Sequence, residues 1–222
     1  MDKRQAIKIM TKSAKLYKEN LENQDILFLY GIPKEINSQI QKNNRELSNM
    51  KSFQVSFYGF NFLHLTGVKL NNEYISSPVL FYEKCLNNRI IESEFKFDTT
   101  GCTKQKLEIL EDMMLLKKKA NMIGDFVDYG TKLYTEKIAG NTCGCIGFVE
   151  SNDLKVNVPN TLLKKDVRDC VKKPAFKIYF VLSKKFKEKK YSIIEKKDKS
   201  INIENYTFLY EIENLLEREK FN

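Results

Sequence analysis

The sequence predicts an α+β fold, in which N-terminal helices pack on an antiparallel sheet and an extra helix follows at the C-terminus. Helical apolar spacing dominates the first half, short strand-like runs bounded by turn residues dominate the second, and no internal repeat links the two. With 222 residues, 42 % of them hydrophobic and 30 % charged, the chain can bury a large core without covalent staples. One main body is expected, with a basic hairpin and an accessory helix over 186–222 packed on it.

The elements follow in order. Residues 2–20 place Ala6, Ile9, Ser13 and Leu16 or Tyr17 at three- and four-residue steps opposite lysines, which predicts an amphipathic helix. Ile26 to Tyr30 is an apolar run closed by Gly31 and Pro33, a buried strand. The polar stretch 34–50 reads as a weak helix or a long loop. Val55 and Phe57 alternate with polar neighbours up to Gly59, and Phe60 to Gly67 continues as a strand. Its period of two would put Phe62, His64 and Thr66 on one face, with Leu63 and Leu65 on the other. Ser77-Pro78 starts a helix over 79–88, and a second helix is expected over 104–123, ended by Gly124. A meander covers 131–158: a strand from Leu133 to Ile138, a turn at 139–141, a return strand from Cys143 to Glu150, a turn at 151–153, and a strand over 154–158. Pro159-Asn160-Thr161 then opens a short helix ending near Val171. Phe176 to Ser183 pairs with Tyr191 to Glu195, and Leu209, Ile212, Leu215 and Leu216 mark the accessory helix within 206–220.

The net charge of +9 is localised. Between Lys164 and Lys199 lie 14 basic and 5 acidic residues, so this segment holds the whole excess. Such a concentration suits contact with a nucleic-acid backbone, with Lys184, Lys185 and Lys187 in the hairpin turn; a solvated lysine-rich hairpin is the competing reading. The five cysteines are irregularly spaced, and Cys143-Gly144-Cys145 has no second pair and no nearby histidine, so neither a metal site nor another cofactor is expected. No Gly-rich phosphate loop, G-x-S-x-G elbow or paired metal-binding carboxylates are present. No run approaches roughly 18 uncharged apolar residues, and the N-terminus leads into an amphipathic segment, so a cytoplasmic protein with no membrane partner is expected.

The chain has one histidine, which rules out a two-histidine site within one chain. Metal-free RNA cleavage needs a base for the ribose 2′-hydroxyl and an acid for the 5′ oxygen. His64 suits one role near neutral pH, with Thr66 beside it. In Tyr134-Thr135-Glu136-Lys137, alternation puts Tyr134 and Glu136 on one face, making Glu136 the candidate partner; the opposite assignment would present Lys137. Against this, a lone histidine among aromatics often serves only the core. Asn160 or Thr161 at a helix start would hold a phosphate, or simply cap the helix. Arg168, Lys172 and Lys173 follow closely and would stabilise phosphate charge, or form a solvated face.

Three blocks carry a family resemblance: Phe62-Leu63-His64-Leu65-Thr66-Gly67-Val68, Leu133-Tyr134-Thr135-Glu136-Lys137, and Val158-Pro159-Asn160-Thr161-Leu162-Leu163-Lys164 with Asp166, Arg168-Asp169 and Lys173-Pro174. With them the chain resembles the fourth variety of the phage Barnase–EndoU–Colicin–RelE-like nucleases over residues 1–185. The resemblance implies a curved four-stranded antiparallel sheet behind N-terminal helices, and metal-independent RNA cleavage on the sheet face. Carried over by position, His64, Thr66, Tyr134, Glu136, Lys137, Asn160, Thr161 and Arg168 occupy the matching blocks. It further implies an effector of a phage or mobile element in a bacterial host. Its RNA would be a tRNA or a CRISPR guide RNA, and its partners a CRISPR–Cas complex or a cognate antitoxin. The alternative is a non-catalytic, anti-CRISPR type inhibitor docking on a ribonucleoprotein through its basic segment.

Overall fold

The computed structural model describes residues 1–42, 44–127 and 134–221. Helix α1 (Lys3–Asn20) is capped by Asp2, whose carboxylate accepts a hydrogen bond from the Gln5 amide at 2.7 Å. It buries Ala6, Met10, Ser13, Ala14 and Tyr17, one stripe at helical spacing. Strand β1 (Gln24–Gly31), helix α2 (Pro33–Gln41) and strand β2 (Lys51–Phe57) follow. Next come α3 (Phe62–Thr66), the small hairpin of β3 (Val68–Leu70) and β4 (Phe95–Phe97), and between its strands α4 (Pro78–Leu86), capped by Ser77. Helices α5 (Cys102–Met113) and α6 (Leu116–Lys119) lead into β5 (Met122–Asp125), β6 (Lys137–Gly140), β7 (Cys145–Glu150), β8 (Asn157–Leu163), β9 (Phe176–Lys185) and β10 (Ile193–Lys197). A single helical turn, α7 (Tyr210–Glu213), lies near the end.

Among the described residues eight strands form one antiparallel sheet: seven run in the order β2-β1-β9-β5-β6-β7-β8, and β10 pairs with β9 beside them. The long β9 pairs with β1 along one edge, while β5 and β10 share its other edge. The sheet curls until its two ends meet: the Asn157 side-chain amide of β8 donates to the Gln54 carbonyl of β2 at 3.0 Å. Phe148 of β7 lies 5.8, 6.2 and 6.4 Å, centroid to centroid, from Phe53, Phe57 and Phe28. These aromatics make an inner layer, and α1, α3, α4 and α5 close over it with Met10, Tyr17, Phe62, Phe81 and Leu110. The opposite face of β1 and β9 is covered by α2 and the C-terminal segment, where Tyr191, Ile203, Phe208 and Leu216 pack on Leu27, Leu29 and Tyr179. Residues beyond 185 therefore share the sheet and one of its cores.

Four predicted elements are corrected. Phe60 to Gly67 is no strand: a 3-10 turn over Gly59–Asn61 runs into α3, which Gly67 ends with φ 70°. Phe62, Leu65 and Thr66 bury a helical face, and so short an apolar run fits either period until packing decides. The helix expected to Ile123 stops at Met113, and after α6 Ile123 enters β5 opposite Ala139. Asn160 and Thr161 do not start a helix; β8 continues through Pro159 to Leu163. Proline is tolerated because β8 is an edge strand with a bulge there: Phe148 faces Pro159 and Gly147 faces Thr161, leaving Asn160 as the extra residue. The accessory helix shrinks to α7, its apolar residues being held in turns against the sheet. Leu133 lies outside the described residues, and regular pairing in β6 begins only at Lys137, after a bend at Glu136.

Candidate active site at the edge strand

The edge strand β8 meets α3 and α5, and a polar cluster forms at their junction. Gly67 is in the left-handed region, and a Cβ there would stand 2.7 Å from Cδ of Lys106. That gap lets the Lys106 stem cross the end of α3. Its Nζ donates to the His64 carbonyl at 3.0 Å and to Thr161 Oγ1 at 3.1 Å. Thr103 Oγ1 donates to the Gly67 carbonyl at 2.6 Å, fixing α5 against α3. Gly147 plays the second spacing role: a Cβ there would lie 2.7 Å from the Thr135 methyl and 2.8 Å from that of Thr161. Thr135 and Thr161 thus close over the bare backbone of β7.

The bulge turns the Asn160 side chain into this cluster. Its Oδ1 accepts from Thr135 Oγ1 at 3.1 Å, and its Nδ2 donates to the Tyr134 carbonyl. The segment is held by its backbone while the Tyr134 ring stays 88 % exposed. Beside the cluster opens a cleft of about 360 Å³, lined by Lys106 and Thr161 and also by Phe126, Leu163, Lys165 and Cys170. Although much of His64 is exposed, the protein around it partly desolvates the imidazole and lowers its pKa below the usual 6.5, and the charge of Lys106 adds to this. The imidazole is therefore neutral and able to accept a proton at pH 7. Burial also lowers the pKa of Lys106.

The other predicted residues fall in several places. Thr66 does not share a face with His64: in a helix, residues two apart diverge by about 200°. Thr66 is buried, its hydroxyl donating to the Leu63 carbonyl at 2.7 Å and accepting from the Val68 amide at 3.3 Å, while His64 is exposed. Glu136 is exposed at the bend, and no hydrogen bond or ion pair joins it to His64. Lys137 turns to the inner face, bonded to Asp125 at 2.6 Å and lying over the rings of Phe53 and Tyr30. Burial opposes its charge, but the Asp125 carboxylate outweighs it and raises the Lys137 pKa.

Arg168 is exposed and forked onto Asp166, at 2.6 Å for its closest contact; Lys172 and Lys173 are exposed nearby. Lys184 is bonded to Asp25 at 2.6 Å and largely buried, whereas Lys185 and Lys187 are exposed in the β9–β10 turn. The structure thus gathers His64, Tyr134, Asn160 and Thr161 and leaves Thr66, Lys137 and Lys184 elsewhere. Lys106 escaped the sequence reading, since a lysine on an amphipathic helix reads as solvent-facing. The one available signal was Gly67 at the end of the H-L-T-G block, a residue type that admits close approach. Among the described residues, no group of three or more His, Cys, Asp or Glu side chains is placed to hold a metal ion, and no helix is long and apolar enough to cross a membrane.

A strongly curled antiparallel half-barrel with helices closing its inner face is the architecture of the barnase- and RelE-type nucleases. A family model described as phage-Barnase-EndoU-ColicinE5/D-RelE like nuclease 4 matches residues 9–200, and the chain belongs to that family. The match runs past residue 185 and includes β10. No curated protein and no solved structure matches the chain significantly.

Proposed function

We propose that the protein is a metal-independent endoribonuclease of a phage or mobile element, cutting RNA at the β8 cleft and leaving a 2′,3′-cyclic phosphate. The observation that carries this reading is that Lys106 of α5 bridges the backbone carbonyl of His64 in α3 and the hydroxyl of Thr161 in β8 at the wall of one cleft, in a chain of a nuclease family. His64 is the base for the ribose 2′-hydroxyl. Lys106 and Thr161 sit where a phosphate would be held, since an ammonium and a hydroxyl both donate to its oxygens. Tyr134 offers an exposed ring on which a base can stack.

The RNA in question is a tRNA or a guide RNA of a bacterial immune complex. Purified protein incubated with each RNA in EDTA tests the reading, wild type against His64→Ala. Cutting by wild type and its loss in the variant support the proposal; equal cutting by both removes His64 from the mechanism.

A non-catalytic binder is favoured by a different observation, the exposed Lys185, Lys187, Lys189 and Lys190 around the β9–β10 turn. In that case His64→Ala leaves binding intact, and reversing these four charges abolishes it. The same turn would equally hold the backbone of an RNA being cut.

A further inference from the structure

Three lysines on the sheet or packed against it, one buried and two half-buried, are paired with carboxylates. Lys117, 7 % exposed, is bonded to Glu195; Lys137, 18 % exposed, to Asp125; and Lys184, 13 % exposed, to Asp25. Lys106 is half-buried as well, yet among the described residues no carboxylate pairs with it. Its two acceptors are the neutral His64 carbonyl and Thr161 hydroxyl. An ammonium has three N–H donors, so one remains for whatever enters the cleft that Lys106 lines. Lys196 is also half-buried and bonded only to a neutral carbonyl, that of Ala120, but Lys106 in addition lines a cleft, where its remaining donor can meet an anionic ligand.

We propose that Lys106 donates the proton to the departing 5′ oxygen when RNA is cut here, in place of Glu136 as the partner of His64. This rests on the nuclease reading above. Neutral His64 takes the proton of the 2′-hydroxyl. The 2′ oxygen bonds to phosphorus as the bond from phosphorus to the 5′ oxygen breaks, and Lys106 passes one proton to that oxygen. The products are a 2′,3′-cyclic phosphate and a 5′-hydroxyl. Lys106 is left as the amine and His64 as the imidazolium, and exchange with water restores both. The burial that lowers the Lys106 pKa eases this transfer.

Lys106 also ties α3 to β8, so loss of activity alone would not separate a proton donor from a tether. A substrate in which sulfur replaces the bridging 5′ oxygen does separate them, because a thiolate leaves without being protonated. Lys106→Met should lose about 10²- to 10⁴-fold on the oxygen substrate and stay within a few-fold of wild type on the sulfur substrate. Lys106→Arg, which keeps the charge and the stem but does not give up a proton at these pH values, should show the same split and guards against misfolding of the methionine variant. Equal losses on both substrates make Lys106 a tether and overturn the proposal. So does a selective loss on the oxygen substrate in Glu136→Gln with none in the Lys106 variants. Wild type that cuts neither substrate overturns instead the nuclease reading on which the proposal rests.

Discussion

Lysine is used in opposite ways at two places along the sheet. Where β9 and β10 run together, Lys117 donates to Glu195 and to Gln24 Oε1, and Glu195 also accepts from Ser183 Oγ at 2.7 Å. Lys117 has its counter-charge in Glu195 there, and the pair serves to hold α6 on the sheet. At the β8 edge, Lys106 spans two neutral acceptors beside an open cleft, 3.0 and 3.1 Å away. A cation matched inside the fold has nothing left for a ligand, whereas an unmatched one draws an anion. The contrast separates the part of the molecule that keeps its shape from the part proposed to do chemistry.

Substitutions can break this contrast from either side. The largest effect belongs to His64→Ala, which should cut RNA cleavage by about 10²- to 10⁴-fold in a labelled-RNA assay. Its urea midpoint should hardly move, since the imidazole is exposed and only the His64 carbonyl is bonded to Lys106. Gly147→Ala should follow. Its new methyl would press on Thr135 and Thr161, and a displacement near 1 Å costs about 10²-fold in rate.

The paired lysine should behave in reverse. Lys117→Met strands Glu195 and should cost about 3–5 kcal/mol in urea unfolding, with cleavage per folded molecule unchanged. Reversing Lys185, Lys187, Lys189 and Lys190 should weaken RNA binding and flatten its salt dependence, as read by filter binding at several salt concentrations.

The smallest effect is a titration, and the single histidine makes it unambiguous by NMR. His64 should titrate below 6.5, mainly from partial desolvation by the protein around it and in part from the Lys106 charge. Protonation in the unfolded chain begins at higher pH than in the folded one. His64 should therefore add stability as pH rises from its lowered pKa to 6.5, and withdraw it as pH falls through that window. The same titration predicts cleavage rising with pH across an acid limb centred below 6.5. Lys106→Met should move the His64 midpoint upward.

Much of the scaffold was legible. Helix α1 carries a clear 3.6-residue stripe, α4 has Ser77-Pro78 at its start, and β1, β7 and β9 are apolar runs bounded by turn residues. The misread segments share a physical cause. Phe60 to Gly67 is too short for its period to choose between helix and strand, and contact with α1 and α4 makes the choice. Pro159-Asn160-Thr161 looks like a helix start because proline rarely enters a sheet, and only the edge position and the bulge allow it. At the site, His64, Asn160, Thr161 and Tyr134 stood out by residue type. Lys106 did not, because its burial comes from Gly67 and β8, distant in sequence and near only in the fold.

The most direct measurement concerns the β8 cleft as the place of cleavage. Wild type and His64→Ala are incubated with the candidate RNAs in EDTA, and the new ends are analysed. The expected result is cutting by wild type alone, leaving 2′,3′-cyclic phosphate and 5′-hydroxyl ends. Cleavage by His64→Ala at the wild-type rate, or ends bearing a 5′ phosphate, would contradict it.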